Sequence, residues 1–473
     1  MTTAVLAPSP MRTWLPGALL ALVAFGACWT GAIVYWRSRT GDPGTGEVML
    51  YLFLLPGALL GAALVTRKLL ADAPPAPASA PEHASQSMEA VAPAPAVSPI
   101  AILATAVRSP HGASIEDIAD AVASKKARPT LDATLVDDDS FPLMTARCAN
   151  ADDAAVSADI SAWLTANAPM AQFSDEPARA LVLATQVVAE LTGKAIAALA
   201  PEDQGAPMLH IAAVLPSDWN AGQQQAAARW LQHTVVQAAW PVERTALVTV
   251  SGADLAGTVP TALLAQLAKQ VSGAPVAAML VACDSRIGDA TVQDWSASQS
   301  LFTPANPHGK VPGEGACALL LTGIAQAAAS ETPLFAVLEP IATARLDAPA
   351  DQHRGEPPHL LADLSQGALA TAHIQADALG MIVADTTATH GRMLELMGYA
   401  GKAAPQLDTE QDVIAFGRAS GACGSVPALM SLALACHYAC ERNSPVLWLT
   451  NDDPFQRCAA VLRTPSSTTT IAR

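Results

Sequence analysis

The stretch HGKVPGEGACALLLTG, His308–Gly323, decides how the rest of the chain is read. A turn rich in Pro and Gly carries one acid, Glu314, and runs without a break into a smooth apolar strand. Pro312 fixes a backbone torsion and makes the turn rigid. An uninterrupted apolar strand is what a sheet covered on both faces requires.

Working outward, the same alternation recurs. Upstream lie the apolar strands PVAAMLVACDS, TALVTVS, MLHIAAVLP and IAILATAV. Between them are the helical stretches TALLAQLAKQVSG, GQQQAAARWLQHTVVQAA, PARALVLATQVVAELTGKAIAALA and SIEDIADAVAS. Pro260 opens the first of these helices in the position proline prefers. Ser114, with Asp117 three residues on, caps the last. Downstream come LFAVLEPIA, the helix HLLADLSQGALATAHIQ, the strand ALGMIVADT, the helix SVPALMSLALACHYACERN and the strands PVLWLT and RCAAVLRT. Alternating helices and near-continuous apolar strands predict an α/β protein with covered sheets.

Composition adds a second part. The chain has 473 residues, is 51% hydrophobic and 14% charged, and carries a net charge of −16. Its mean hydropathy is +0.29. The charge and the lack of a large Lys/Arg patch argue against nucleic acid as a partner. Two uncharged runs, 14–36 and 48–66, are long enough to cross about 30 Å of hydrocarbon. Trp14 and Trp36 flank the first, as interfacial aromatics do. A short hairpin, RSRTGDPGTGE, joins the runs, so a membrane hairpin is predicted over residues 1–70. Arg12, Arg67 and Lys68 on one side outnumber Arg37 and Arg39 on the other, which places the large domain in the cytoplasm and the anchor in the inner membrane. Residues 71–99 are a Pro/Ala-rich linker that favours extended backbone, with a reach on the order of 90 Å. The domain that follows spans 100–473.

Eight cysteines, Cys28, Cys148, Cys283, Cys317, Cys423, Cys436, Cys440 and Cys458, form no CxxC pair. They read as small buried hydrophobes in a reducing compartment, with no zinc motif among them. No phosphate-cradling loop appears, and no cofactor is expected.

The order of elements resembles the thiolase-like fold, in the β-ketoacyl-synthase (condensing-enzyme) branch. AVRSPHGASIEDIADAV resembles that family's first strand and loop. LVTVSGADLAGTVPTALLAQLA resembles its strand–elbow–helix, and MLVACDS the end of its next strand. TPANPHGKVPGEGACALLL resembles the turn before a core strand, sharply so over Pro312, Gly313, Glu314 and Gly315. FGRASGACGSVPALMSLALA resembles its late glycine-rich turn and helix. The resemblance covers roughly 100–465. It implies an αβαβα domain of two similar halves, about 100–328 and 333–473.

It also implies where chemistry should lie. Condensing enzymes use a cysteine at a helix N-terminus, where the dipole and backbone N–H groups stabilise thiolate and oxyanion. They add two histidines. Here the elbow GADLAGTVPT has no cysteine, and Thr258 occupies the matching position. A threonine hydroxyl needs an adjacent base, and none is evident locally. The first histidine position holds Thr386, with Thr387 beside it and His390 a few residues on. The second holds Arg418, which cannot exchange a proton at neutral pH but can hold a carboxylate or phosphate. Cys423, in a glycine-rich turn before a helix, is a second candidate for ligand binding, in a setting that can lower a thiol pKa.

With all three positions replaced, the expectation is a catalytically degenerate domain held on a membrane. It would act as a scaffold or partner-binding subunit, as a homodimer or as a heterodimer with an active homologue. The alternatives are a module that binds an acyl ligand through Arg418 and an acyltransferase using an unconventional residue. An acidic acyl carrier protein is an awkward partner for so acidic a chain; Lys125, Lys126 and Arg128 form one small candidate patch for it, which reads more simply as a solvated loop.

Overall fold

The structure is a computed structural model, and it describes Trp29 and residues 98–137, 140–201, 206–248, 260–273, 275–330, 335–350 and 359–465. The predicted membrane hairpin, nearly all of the Pro/Ala-rich linker, and Thr258 lie outside the described residues. The chain divides into two units, Met1–Pro93 and Ala94–Arg473, and the second is described here.

In chain order its elements are β1 (Ile100–Arg108), α1 (Ile115–Ala123), β2 (Thr130–Val136), β3 (Pro142–Thr145), α2 (Ala154–Asn167) and α3 (Asp175–Leu199). Next come β4 (Met208–Val214), α4 (Ala221–Gln237), β5 (Thr245–Val248), α5 (Pro260–Gly273), β6 (Val276–Ser285), α6 (Asp289–Ala297), β7 (Glu314–Gly323) and α7 (Ile324–Ala329). The remainder is β8 (Ala336–Leu338), β9 (Ala342–Arg345), α8 (Leu360–Thr371), β10 (Met381–Ala384), α9 (His390–Ala403), β11 (Val413–Ala415), α10 (Gly417–Ser420), α11 (Val426–Arg442), β12 (Val446–Thr450) and β13 (Gln456–Arg463).

The main sheet runs β11-β10-β12-β13-β8-β1-β7-β6-β4-β5. Its two ends have one topology. In the first half β1 is antiparallel to β7, β7 to β6, while β6, β4 and β5 are parallel neighbours. In the second half β8 is antiparallel to β13, β13 to β12, while β12, β10 and β11 are parallel neighbours. The halves meet where β1 pairs antiparallel with β8, Ile100 opposite Leu338. A structural duplication is therefore present that the two halves of the sequence do not reveal by similarity.

The central strands β1, β6, β7, β10, β12 and β13 bury both faces, and the two faces belong to different layers. Leu280 and Ala282 of β6, with Trp448 and Ala460 of the second half, join α5 and α11 in a central apolar layer. Alternate residues of the first half, such as Met279 and Leu320, pack outward on α3 and α4. Ile382, Leu447 and Val461 of the second half pack outward on α8 and α9. Helix, sheet, helix, sheet, helix is the resulting sequence of layers. The near-continuous apolar strands of the sequence are the direct consequence.

Local signals hold where they can be checked. Ser114 accepts from the Asp117 N–H and Asp117 returns the bond, a capping box at the start of α1. The 25-residue helix α3 is the one described helix long and apolar enough to cross a membrane, yet 61% of its apolar window is buried inside the domain. It is a core helix. Several elements were not foreseen, among them α2, α6, α9, β9 and β11, and neither was the β2–β3 hairpin, which pairs only with itself. Its inner residues Leu135 and Leu143 cover Ile287 and Val292.

Candidate functional site

In an open α/β sheet the loops at the carboxyl ends of parallel strands form the natural ligand crevice. Three such loops matter here. Residues 249–259, which join β5 to α5 and include Thr258, lie outside the described residues. In the second half the equivalent loop between β11 and α11 is Phe416–Ser425, and the loop after β10 contains Thr386.

The turn before β7 ties these regions together. The Gly313 carbonyl accepts from the Arg286 N–H at 2.9 Å, and the Pro312 carbonyl accepts from the Ala146 N–H at 2.8 Å. Pro312 also bridges Ala422, whose N–H donates to the Val311 carbonyl at 2.8 Å. Gly313 is obligatory for a steric reason, because a Cβ there would overlap the Ser420 carbonyl. Glu314 is completely buried. It accepts from Arg179 Nη2 at 2.7 Å and Nε at 2.9 Å, from Ser285 Oγ at 2.7 Å and from the Cys148 N–H at 2.8 Å. Every lone pair that burial would leave uncompensated is used. The acid of the Pro-Gly-Glu-Gly turn is thus a structural node, and the turn fastens the first half to the glycine-rich loop of the second.

The backbones carrying the two predicted histidine positions do meet. A Cβ on Gly417 would overlap the Asp385 carbonyl and crowd the Thr386 backbone, so Gly417 lets the loops after β10 and β11 touch. The side chains then part. Thr386 is fully buried, and its hydroxyl donates to Asn451 Oδ1 at 2.6 Å. Arg418 is exposed and makes no hydrogen bond or ion pair with a described residue. His390, at the start of α9, is exposed as well.

Cys423 departs from expectation. It is 0% exposed, and its thiol contacts the Ser420 carbonyl at 3.5 Å. Burial, reinforced by the nearby Asp284 and Glu314 carboxylates, pushes the thiol pKa well up. A helix N-terminus lowers a thiol pKa, and burial in apolar surroundings raises it. Cys423 is a packed hydrophobe and not a ligand-binding thiol. All seven described cysteines are free, six of them buried.

Sequence reasoning missed the polar cluster behind Thr386. Asp385 Oδ1 accepts from the N–H groups of Asn451 at 2.8 Å and Asp452 at 3.2 Å. Burial, with the Asp452 carboxylate adding to it, pushes Asp385 up to about 7. Arg457, 0% exposed, gives its Nε to Glu395 at 2.8 Å, and its Nη2 has no partner among the described residues. Asn451 Nδ2 donates to the Arg392 carbonyl at 3.0 Å and to Glu395 at 3.2 Å. The available signal was Asp-Thr-Thr and Thr-Asn-Asp-Asp directly after two apolar strands. His111 was also overlooked. It lies beside this loop, Nε2 2.9 Å from the Ala419 carbonyl, and burial lowers its pKa, so it is neutral at neutral pH.

Arg418 opens onto a cleft of ≈ 1430 Å³. Apolar side chains of Phe302, Val311, Met397, Ile414, Phe416 and Tyr438 line it. At one rim Lys125 bridges Glu410 at 2.8 Å, and Arg442 bridges Asp412 at 2.7 Å. Arg128, from the basic patch read in the sequence, lines it too. The arrangement can bind an anion. It offers no imidazole at either histidine position, and the one hydroxyl there is engaged by Asn451.

No family model matches the sequence, and no curated relative does. Solved structures do. The oxazolomycin ketosynthase domain KS7 of Streptomyces albus JA3453 superposes with a TM-score of 0.53 at 12% identity, over 80% of this chain and 75% of that one. A complex named as a type II polyketide-synthase acyl-carrier protein with its ketosynthase, AntDE:AntF, gives 0.53 at 10% identity, over 77% and 99%. The ketosynthase of module 6 of the Bacillus subtilis 168 bacillaene synthase gives 0.51 at 12% identity, over 78% and 73%. At such identities the likeness speaks for the fold, and the fold of this chain is the thiolase-like α/β fold in the form that ketosynthase domains take.

Proposed function

We propose that this protein is a membrane-anchored, non-condensing ketosynthase-like protein that works as a scaffold or partner-binding subunit. The observation that carries this reading is the state of the two histidine positions. Thr386 is buried against Asn451, and Arg418 points into an open cleft. A condensing site needs a group that can hold and release a proton next to the thioester. Neither residue is one. The absence of a cysteine from the elbow containing Thr258 agrees. The uncharged runs 14–36 and 48–66 supply the anchor, the linker supplies reach, and the domain faces the cytoplasm. Its partner is a second copy or an active homologue. The AntDE:AntF structure, a ketosynthase with its acyl-carrier protein, is the precedent for a carrier as a further partner.

The test uses the full chain in detergent, with malonyl and acyl thioesters and an active ketosynthase run in parallel. Intact mass should show no acyl adduct, and the malonyl thioester should not lose carbon dioxide above background. An adduct that disappears in Thr258→Ala would overturn the reading. A chain that is monomeric and partnerless after gentle extraction would remove its scaffold half.

The cleft favours a second reading, a module that binds an acyl ligand with an acidic head group on Arg418. Denaturing mass spectrometry of freshly extracted protein should then reveal a stoichiometric acyl compound, lost in Arg418→Ala.

A further inference from the structure

β11 is an edge strand, paired on one side with β10 only. The Asp412 carbonyl and the Phe416 N–H bond toward β10, so the alternation of the backbone turns the N–H and C=O of Val413 and Ala415 the other way. Those four groups make no hydrogen bond with a described residue. They face the cleft, which both residues line. Val413 is only 6% exposed. Ala415 is half-buried, and backbone polar groups sheltered from water are almost always paired. An unpaired edge inside an apolar cleft is the receiving geometry for an added strand.

Resting on the scaffold reading above, we propose that the β11 edge is the partner-docking site, and that the partner contributes an extended polypeptide segment that pairs with Val413 and Ala415. The charges of the cleft specify that segment further. Lys125, Glu410 and Arg442 are engaged in ion pairs, and His437 lies 3.6 Å from Glu441. Arg418 and Arg128 form no ion pair with a described residue, and neither do Glu116 and Asp120, one turn apart on α1. The α1 wall is therefore acidic, while Arg418 follows the carboxyl end of β11. A wholly anionic occupant meets repulsion at α1. The charges instead suit a segment with alternating apolar residues, an acidic group for Arg418 and a basic group for Glu116 and Asp120. Main-chain bonds give affinity in this mode, and the flanking charges set direction.

The test uses the full chain in detergent and fluorescence anisotropy. The probes are alternating Val/Thr octapeptides with arginine at one end and glutamate at the other, in both sequence orders. Saturable binding of one order is expected. Methylation of alternate backbone amides should weaken it at least about tenfold, the factor for roughly 1.4 kcal/mol. Arg418→Glu should weaken it similarly, and a peptide with lysine in place of its glutamate should recover that loss. Ala415→Pro removes one edge donor and should weaken every probe. Equal binding of methylated and unmethylated peptides overturns strand addition. So does saturable binding of dodecanoate, dependent on Arg418, with no peptide bound. A protein partner that co-purifies undiminished with Arg418→Glu and Ala415→Pro keeps the scaffold reading and removes this surface from it.

Discussion

The two halves share one topology and treat a buried acid in opposite ways. In the first half Glu314 is gripped by both nitrogen faces of Arg179, which reaches it from the outer helix α3, and by Ser285 and the Cys148 N–H. In the second half Asp385 has two backbone N–H groups and a carboxylate neighbour, Asp452. The buried guanidinium of Arg457 is engaged by Glu395, and Arg392 Nε by the Asp452 carbonyl. A duplicated fold thus fixes where the strand ends lie and leaves open what each end is built to do. The first half uses Glu314 as a rivet, and its other buried acid, Asp284, is pushed up to about 6 by burial beside Arg286. The second keeps a titrating acid next to the loop that carries Arg418.

Removing the rivet is the strongest way to break this comparison. Glu314→Ala strands the Arg179 guanidinium, whose side chain is 15% exposed, and leaves Ser285 and the Cys148 N–H without an acceptor. Breaking a buried pair by deleting one partner costs about 3–5 kcal/mol. Asp152 also pairs with Arg179, which moves the expectation to the lower end. Denaturant unfolding of the full chain, followed by the signal of the 100–473 domain, measures it. If Asp385→Asn costs as much, the contrast between the halves is not real.

Gly313→Ala and Gly417→Ala probe the seams. Each Cβ would meet a backbone carbonyl, that of Ser420 or of Asp385, and backbone yields less readily than a flexible side chain. Forcing an extra group into a packed site costs about 1–3 kcal/mol. Gly313→Ala should loosen the contact between the first half and the glycine-rich loop, and hydrogen exchange should rise over Ser420–Ala422. Gly417→Ala should raise exchange over Asp385–Thr387 and spare the first half. Uniform loosening in both variants would show the seams to be one.

How much of this the sequence carried depends on the range of the interaction. The Pro-Gly-Glu-Gly turn, the Ser114–Asp117 cap and the apolar strands are local, and they were legible. The partners of Glu314 were not, because Arg179 lies 135 residues away in sequence and comes into reach only when α3 packs across β6 and β7. The loops carrying Thr386 and Arg418 touch at Gly417, and the opposite settings of the two side chains, one bonded to Asn451 and the other exposed, are announced by no spacing. Cys423, a candidate for ligand binding in the sequence, is fully buried for a reason equally long in range. A glycine-rich turn before a helix looks exposed in sequence, and the turn before β7 buries it. The β2–β3 hairpin was missed because Asp132 interrupts its apolar pattern. That acid is buried inside the hairpin by Arg147, Thr145 and three neighbouring donors.

A pH series sharpens the contrast without large loss of stability. Asp385 is raised to about 7 when folded, against about 3.9 for an unfolded aspartate. Between those values the folded protein holds a proton that the unfolded chain releases. Asp385 therefore contributes stability that is full below the unfolded value and is lost as pH rises to about 7. Asn mimics the protonated acid and has no such slope. The thermal midpoint of Asp385→Asn relative to the parent should rise from pH 5 to pH 8. A constant difference would mean that Asp385 stays ionised throughout.

Arg418→Ala should have the smallest effect on stability and sharpens the comparison most at the site. Its side chain is exposed and bonds to no described residue, so nothing in the packing depends on it. A surface change of this kind stays within about 0.5 kcal/mol. Unfolding of Arg418→Ala should superpose on the parent, whereas Thr386→Val, one loop away, leaves Asn451 Oδ1 without its donor and costs about 1–3 kcal/mol. The pair separates the two replaced histidine positions by what they do now. One closes the strand ends, and the other is free of any structural duty and available to a partner. A stability loss in Arg418→Ala equal to that of Thr386→Val would mean that both positions serve packing, and the cleft would lose the one charge that distinguishes its Arg418 end.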